Sequence, residues 1–185
     1  MKAFFWTPVI AGVVLLFGAS SASAQGNLII YNDALTNSFQ DWSWAAHNLN
    51  NASPVHSGVR SISVSAAVWE GVSFYHPDFD LSPYGSFTFW ANGGAGGQRL
   101  QVYAETTTTG SGPTYAIPSA LTTGWQQITV PLSAIGVSNA ESFNRITIQL
   151  RNDGTTTTFY LDDIQFTGRP VPVTVNVSVV AVQQP

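Results

Sequence analysis

Apolar and polar residues take turns one by one in three stretches of the chain. Phe87, Phe89 and Ala91 oppose Thr88, Trp90 and Asn92. Leu100, Val102 and Ala104 oppose Arg99, Gln101, Tyr103 and Glu105, and Ile146, Ile148 and Leu150 oppose Arg145, Thr147, Gln149 and Arg151. Successive side chains of a strand point to opposite faces, so a period of two marks a strand with one buried face. The same reading predicts strands over 27–31, 42–47, 60–64, 71–76, 86–92, 99–106, 126–131, 145–151 and 159–166. Turn residues separate them, most clearly Asn92-Gly93-Gly94-Ala95-Gly96-Gly97 and Asn152-Asp153-Gly154. The connection 133–142 has room for one helical turn, and no stretch after residue 24 carries a convincing amphipathic-helix pattern. Many short strands with frequent turns predict an all-β sandwich or barrel.

The two ends differ from this middle. Lys2 is followed by an apolar run over 4–17 and then by small residues ending in Ala22-Ser23-Ala24. That order predicts a secretory signal peptide over 1–24, a mature chain starting at Gln25, and an extracellular protein. The alternative, a membrane anchor, needs a longer run, since a span takes roughly 20 apolar residues. Residues 25–168 are then one domain. In the tail 169–185, Val171, Val173, Val175, Val177 and Val179 alternate with other residues, as in an edge strand or an extended linker.

Charge and cysteine content remove whole classes of function. The 185-residue chain carries a net charge of −4, and past Lys2 its basic residues are five Arg and no Lys. Nucleic acid and anionic lipid both ask for a basic face, so neither is an expected partner. With no Cys, disulfides, thiol nucleophiles, Cys-based zinc sites and a lipidated Cys are excluded. Stability must come from a core, a metal, or both.

What remains unexplained is the polar side of the alternation. It carries Trp90 and Tyr103 among Asn92, Gln101, Gln149 and Arg151, not the usual mixture of a solvated sheet. If these strands are neighbours in one sheet, they form an aromatic platform rimmed by amides and a guanidinium. A sugar ring offers an apolar C–H face to an aromatic ring and a rim of hydroxyls to planar donors and acceptors. The alternative is that Trp90 and Tyr103 lie under a loop as a satellite core. Trp69, in the turn before Glu70-Gly71, and Tyr75 are further candidates for the platform. Trp42 and Trp44 share one side of a predicted strand, so at most one of them meets ligand and core or edge packing is the other reading; Trp125 reads as core. His47, His56 and His76 are scattered, which suits hydrogen bonding better than a metal site.

Three short motifs point to a family. Phe159-Tyr160-Leu161-Asp162-Asp163-Ile164, Val55-His56-Ser57-Gly58-Val59-Arg60-Ser61-Ile62, and Ile30-Tyr31-Asn32-Asp33 with Asp41-Trp42-Ser43-Trp44 resemble segments of calcium-containing β-jelly-roll carbohydrate-binding modules of the galactose-binding-like kind. The resemblance spans most of 27–167. It implies a two-sheet antiparallel jelly-roll sandwich that holds a β-glucan-like polysaccharide or oligosaccharide on a concave sheet face. Such modules are often attached to bacterial cellulases, so a catalytic domain or a partner enzyme in trans is implied, with the module itself a monomer. It also implies a structural calcium near the ends of the domain. Asp162, Asp163 and Asp33 would supply carboxylates and the Ser57-Gly58 region carbonyls, since calcium takes six to eight oxygens. Alternation would point Asp162 inward with Ile164 and Phe166. The other reading of Asp162 and Asp163 is that they cap turns or accept backbone N–H bonds.

Catalysis is not expected. The chain has only three Glu, at 70, 105 and 141, and none stands two or four residues from another acid. Glycosidases set two carboxyl groups across the scissile bond, and on a single strand Asp162 and Asp163 would face opposite ways. Glu70 and Glu105 are the carboxylates to test. The competing function is a secreted structural or adhesive β-sandwich that binds protein or matrix.

Overall fold

The computed structural model describes residues 25–169 throughout, together with the backbone of two strands outside them, β1 (Val14–Ala19) and β15 (Val175–Val180). Those two pair antiparallel, Val14 opposite Val180 and Ala19 opposite Val175, in a unit distinct from Gln25–Arg169. The valine alternation of the tail is therefore strand at 175–180. The predicted signal peptide falls, apart from the backbone of β1, outside the described residues.

Within Gln25–Arg169 the strands run β2 (Leu28–Asn32), β3 (Ala34–Leu35), β4 (Gln40–Asp41), β5 (Ala46–Asn51), β6 (Ser61–Ser65), β7 (Gly71–Phe79), β8 (Tyr84–Asn92), β9 (Leu100–Thr106), β10 (Gly110–Ser111), β11 (Tyr115–Ala116), β12 (Trp125–Pro131), β13 (Phe143–Leu150) and β14 (Phe159–Gly168). A single 3-10 turn, η1 (Leu132–Ile135), sits in the connection where one was expected. The strands form two antiparallel sheets. One has seven strands in the order β12-β8-β14-β2-β3, with β6 and β5 continuing from β14, and the other six in the order β10-β9-β13-β7-β4, with β11 on β9. This is the β-jelly-roll sandwich.

The apolar side of each alternating stretch makes the core. Phe87, Phe89, Ala91, Leu100, Val102, Ala104, Ile146, Ile148 and Leu150 are all fully buried, and residues from both sheets join one cluster. Burying a large apolar side chain contributes about 1.5–3 kcal/mol, so this face of the pattern specifies the fold strongly.

Long strands alternate between the sheets: β7 in the six-stranded sheet, β8 in the seven-stranded, β9 back in the six-stranded, then β12, β13 and β14 in turn. This overturns the expectation that Trp90 and Tyr103 are neighbours. Trp90 is on β8, in the seven-stranded sheet, and Tyr103 is on β9, in the six-stranded sheet. The glycine-rich segment after Asn92 is not a hairpin. Its Gly94, Gly96 and Gly97, all at positive φ, carry the chain from one sheet to the other.

A second correction concerns 42–47. The ladder of β4 ends at Asp41 and β5 begins at Ala46, so Trp42 and Trp44 do not share a strand. The segment between follows the edge of β7, with Trp42 N–H donating to Ser73 O at 2.9 Å and Ala45 N–H to Gly71 O at 3.1 Å.

Candidate functional site

The outer face of the six-stranded sheet is set by its register. Gln101 on β9 lies opposite Gln149 on β13, and Gln149 opposite Gly71 on β7. One step along, Tyr103 meets Thr147 and Thr147 meets Ser73; a further step aligns Glu105, Arg145 and Tyr75. The sheet thus brings Tyr75, Gln101, Tyr103 and Gln149 onto one surface, as the polar side of the alternation requires.

Three indoles border this surface. Trp42, Trp44 and Trp69 are 47%, 44% and 50% exposed, the largest side chains among the exposed hydrophobics. Trp42 stacks on Tyr75, with centroids 4.0 Å apart and planes within 10°. The Arg145 guanidinium carbon is 5.7 Å from the Trp42 ring centre, within cation–π range, and Arg145 pairs with Glu105 across the strands. Trp44 and Trp69 meet through hydrogen bonds: Trp44 Nε1–H donates to Trp69 O at 3.1 Å, and Gln149 Nε2–H donates to the same carbonyl at 2.8 Å. Gln101 Nε2–H in turn donates to Gln149 Oε1 at 2.6 Å. The Gln149 amide is thus fixed between neighbours. In the middle Ser73 and Thr147 are buried and share a 2.9 Å hydroxyl bond.

Of the candidates read from the sequence, Tyr75, Tyr103, Gln101, Gln149 and Trp69 share this surface, and three do not: Asn92, buried at the end of β8 in the other sheet and accepting Gly94 N–H at 2.8 Å, Arg151 and Trp90. Arg151 lies beyond the end of β13 and pairs with Asp153 at 2.9 Å, in the turn 151–154. Trp90 lies on the outer face of the other sheet, under His56, with ring centroids 3.8 Å apart and planes within 17°. Trp125 meets the same imidazole edge-on at 5.7 Å. For Trp90 the loop-covered alternative is the one realised. Sequence reasoning left out Arg145, allowed at most one of Trp42 and Trp44 a place at ligand, and weighed Glu105 only as an acid. Two tryptophans flanking Ser43 just after Asp41 were the available signal.

The four residues expected to hold calcium are wired differently. Asp162 does not point into the core: Asp163 adopts φ 46 at a bulge in β14, so Asp162 pairs with Trp90 on the outer side while Ile164 and Phe166 stay inside. Asp162 is nevertheless fully buried. Its Oδ2 accepts N–H bonds from His56 at 2.9 Å and Ser57 at 3.3 Å, and its Oδ1 one from Asp163 at 2.9 Å. Burial pushes its carboxyl above the usual range, against the pull of those N–H groups. Asp33 Oδ1 accepts from Val59 N–H and Arg60 N–H, each at 2.7 Å. Asp163 accepts from His56 Nδ1–H at 2.6 Å and from Ser57 Oγ–H at 2.6 Å. Gly58, at φ 65, lies so close to the Asp33 carboxylate that any Cβ there would collide with it. The 56–60 loop thus presents N–H and O–H donors to all three carboxylates. A cation site needs the reverse, oxygen lone pairs converging on one point, and among the described residues no group of three or more His, Asp or Glu does so. The loop that these contacts pin is the one that covers Trp90.

An open polar hollow of about 730 Å³ lies beside β9, lined by residues that include Thr106, Asn139 and Glu141. It has no aromatic floor.

Exposed indoles and a stacked phenol thus gather with amides and an ion pair on one sheet face of the jelly roll. The family described as Carbohydrate binding domain 30 matches residues 27–168, and the chain belongs to it. Among solved structures it is similar to a family 30 carbohydrate-binding module of the cellulosomal cellulase Cel9D-Cel44B of Clostridium thermocellum, with 15% identity, a TM-score of 0.57, and 77% of this chain and 97% of that one covered. It is also similar to a family 11 module from Clostridium thermocellum solved in complex with a β-1,3-1,4-mixed-linked tetrasaccharide, with 16% identity, a TM-score of 0.58, and 79% and 98% covered. At these identities the likeness is one of fold. An endoglucanase of Dictyostelium discoideum is 36% identical over 80 residues, which are 42% of this chain and 11% of that protein.

Proposed function

We propose that the outer face of the six-stranded sheet is a non-catalytic binding surface for a neutral, β-glucan-like polysaccharide, and that it is the concave face of the sandwich. Trp42, Trp44, Trp69, Tyr75 and Tyr103 form the floor for sugar C–H faces. Gln101, Glu105 and Arg145 offer acceptors and donors to the hydroxyls. The observation that carries this reading is the gathering of three exposed indoles on one sheet face of a chain in a carbohydrate-binding family.

Charge argues for a neutral ligand. The cation on the platform, Arg145, is paired with Glu105, and past its end Arg99 and Arg151 share the carboxylate of Asp153. Residues 25–169 carry ten Asp and Glu against five Arg, a balance that opposes a polyuronate. Hydroxyls exchange water bonds for protein bonds, so the expected affinity is modest, with Kd about 1 μM or weaker. The acids support binding without cleavage: Glu105 is held by Arg145, and Glu70 accepts from Ala67 N–H at 2.8 Å within its own turn. The N-terminal pattern of residues 1–24 supports an extracellular setting. The partial likeness to an endoglucanase supports a polysaccharide-cleaving partner, in cis or in trans.

Affinity electrophoresis tests the reading. Retardation is expected in gels cast with soluble mixed-linkage β-glucan and not in gels cast with polygalacturonate. No retardation by any neutral glucan, xylan or mannan overturns it in favour of a structural or adhesive domain.

A further inference from the structure

Trp69 sits where a tryptophan is out of place. It is the third residue of the turn Ala67–Glu70, closed by Glu70 N–H to Ala67 O at 3.0 Å, and its φ is 69°. That position favours Gly or Asn, because a Cβ in the left-handed region crowds the backbone. The side chain does not compensate by burial, since half of it faces solvent. A strained conformation persists only where its surroundings over-determine it. Here they do: Trp69 N–H donates to Leu150 O at 2.9 Å, and Trp69 O accepts both Gln149 Nε2–H at 2.8 Å and Trp44 Nε1–H at 3.1 Å.

We propose that Gln149 and Trp44 are positioning residues for Trp69: their two hydrogen bonds to its carbonyl hold the left-handed turn, so that the Trp69 indole is presented preorganised to a neutral glucan chain. Gln149 acts through Trp69 and not by touching sugar. This rests on the platform reading above and adds to it a division of labour. One donor of the Gln149 amide goes to Trp69, its acceptor takes the Gln101 amide, and the Trp44 indole N–H is spent on the same carbonyl. Preorganisation matters because a ring ordered only on binding costs affinity.

The test is a double-mutant cycle on soluble mixed-linkage β-glucan, using Gln149→Met, which keeps length and removes the donor, and Trp69→Ala. Gln149→Met is expected to weaken binding about 3- to 10-fold in the native chain and less than 1.5-fold in the Trp69→Ala background. An equal loss in both backgrounds, or no loss in the native chain, overturns the proposal. A ligand-independent arm uses the 5-fluorotryptophan protein and fluorine NMR, with the Trp69 resonance assigned from Trp69→Phe. One sharp Trp69 line in the native chain that broadens or splits in Gln149→Met supports the proposal; an unchanged line overturns it. If the native chain ignores all glucans, the platform reading fails while the fluorine spectrum still decides the positioning role. Trp69→Asn supplies a strain readout: its melting temperature should equal or exceed that of the native chain while glucan binding falls. A drop of several degrees shows that the turn was not strained and overturns the proposal.

Discussion

Two aromatic clusters sit on the outer faces of the two sheets, and only one is open. On the six-stranded sheet, Trp42, Trp44 and Trp69 stand about half-exposed with no loop tied across them. On the seven-stranded sheet, Trp90 is capped by His56 from a loop whose backbone is bonded to Asp33 and Asp162. Both clusters arise from polar-side positions or nearby turns, and both mix tryptophan with amides. The difference lies in three carboxylates, one of them fully buried, that pull a loop down over one of the clusters. Whether an aromatic strand residue meets ligand or cover is decided by the wiring of loops remote in sequence: Asp162 reaches back 106 residues to His56.

The sharpest way to break the comparison is to release the loop. Asp162→Asn sets an amide donor against backbone donors in a fully buried place. It is expected to cost about 2–3 kcal/mol, or roughly 6–8 °C in melting temperature for a domain of this size. Glucan affinity should stay within twofold. A stable variant with weakened binding would make the two faces interdependent.

Next comes the contrast between the indoles themselves. Trp42→Ala should weaken retardation in glucan gels at least tenfold, about 1.4 kcal/mol, whereas Trp90→Ala should change it less than 1.5-fold. The reverse order would move the binding surface to the other sheet.

A smaller effect comes from Asp41, next to Trp42. Burial raises its carboxyl pKa, but hydrogen bonds from Ser43 and His47 outweigh this and hold it below the usual value. A depressed folded pKa gives stability that is present above the unfolded value, about 3.9, and lost as pH falls through the folded one. The pair is partly exposed, so screening keeps its contribution to a few tenths of a kcal/mol. At pH 7, Asp41→Asn should lower the melting temperature by about 1 °C, and the gap should close below about pH 4. A gap that is constant in pH would assign the loss to packing.

Smallest is chelation. With the acids of the 56–60 region satisfied by donors, EDTA should move the melting temperature by less than about 1 °C. A fall of several degrees would restore the ion.

The strands and their buried faces were legible because Phe87, Leu100, Ile146 and their neighbours alternate without a break. Sheet membership was not: a period of two reads the same in either sheet, and the glycine run after Asn92 fits a hairpin as well as a crossing. Nor was the direction of Asp162, since the extra residue at the Asp163 bulge inverts the parity that the alternation assumes. Trp42 and Trp44 were misplaced because their segment keeps hydrogen bonds to β7 without the regular ladder of a strand. Trp69, in contrast, was recoverable from its turn, although its left-handed backbone was not.

The carboxylate latch also bears on how the domain can be trimmed. A fragment cut upstream of position 162 would lose more than a strand. It would free the His56 loop from Asp162 and bare further a tryptophan surface that the loop half-covers in the intact chain. Such a fragment is expected to self-associate, and a boundary for expression belongs after Arg169, whose side chain and N–H are bonded to Tyr84 and Pro83.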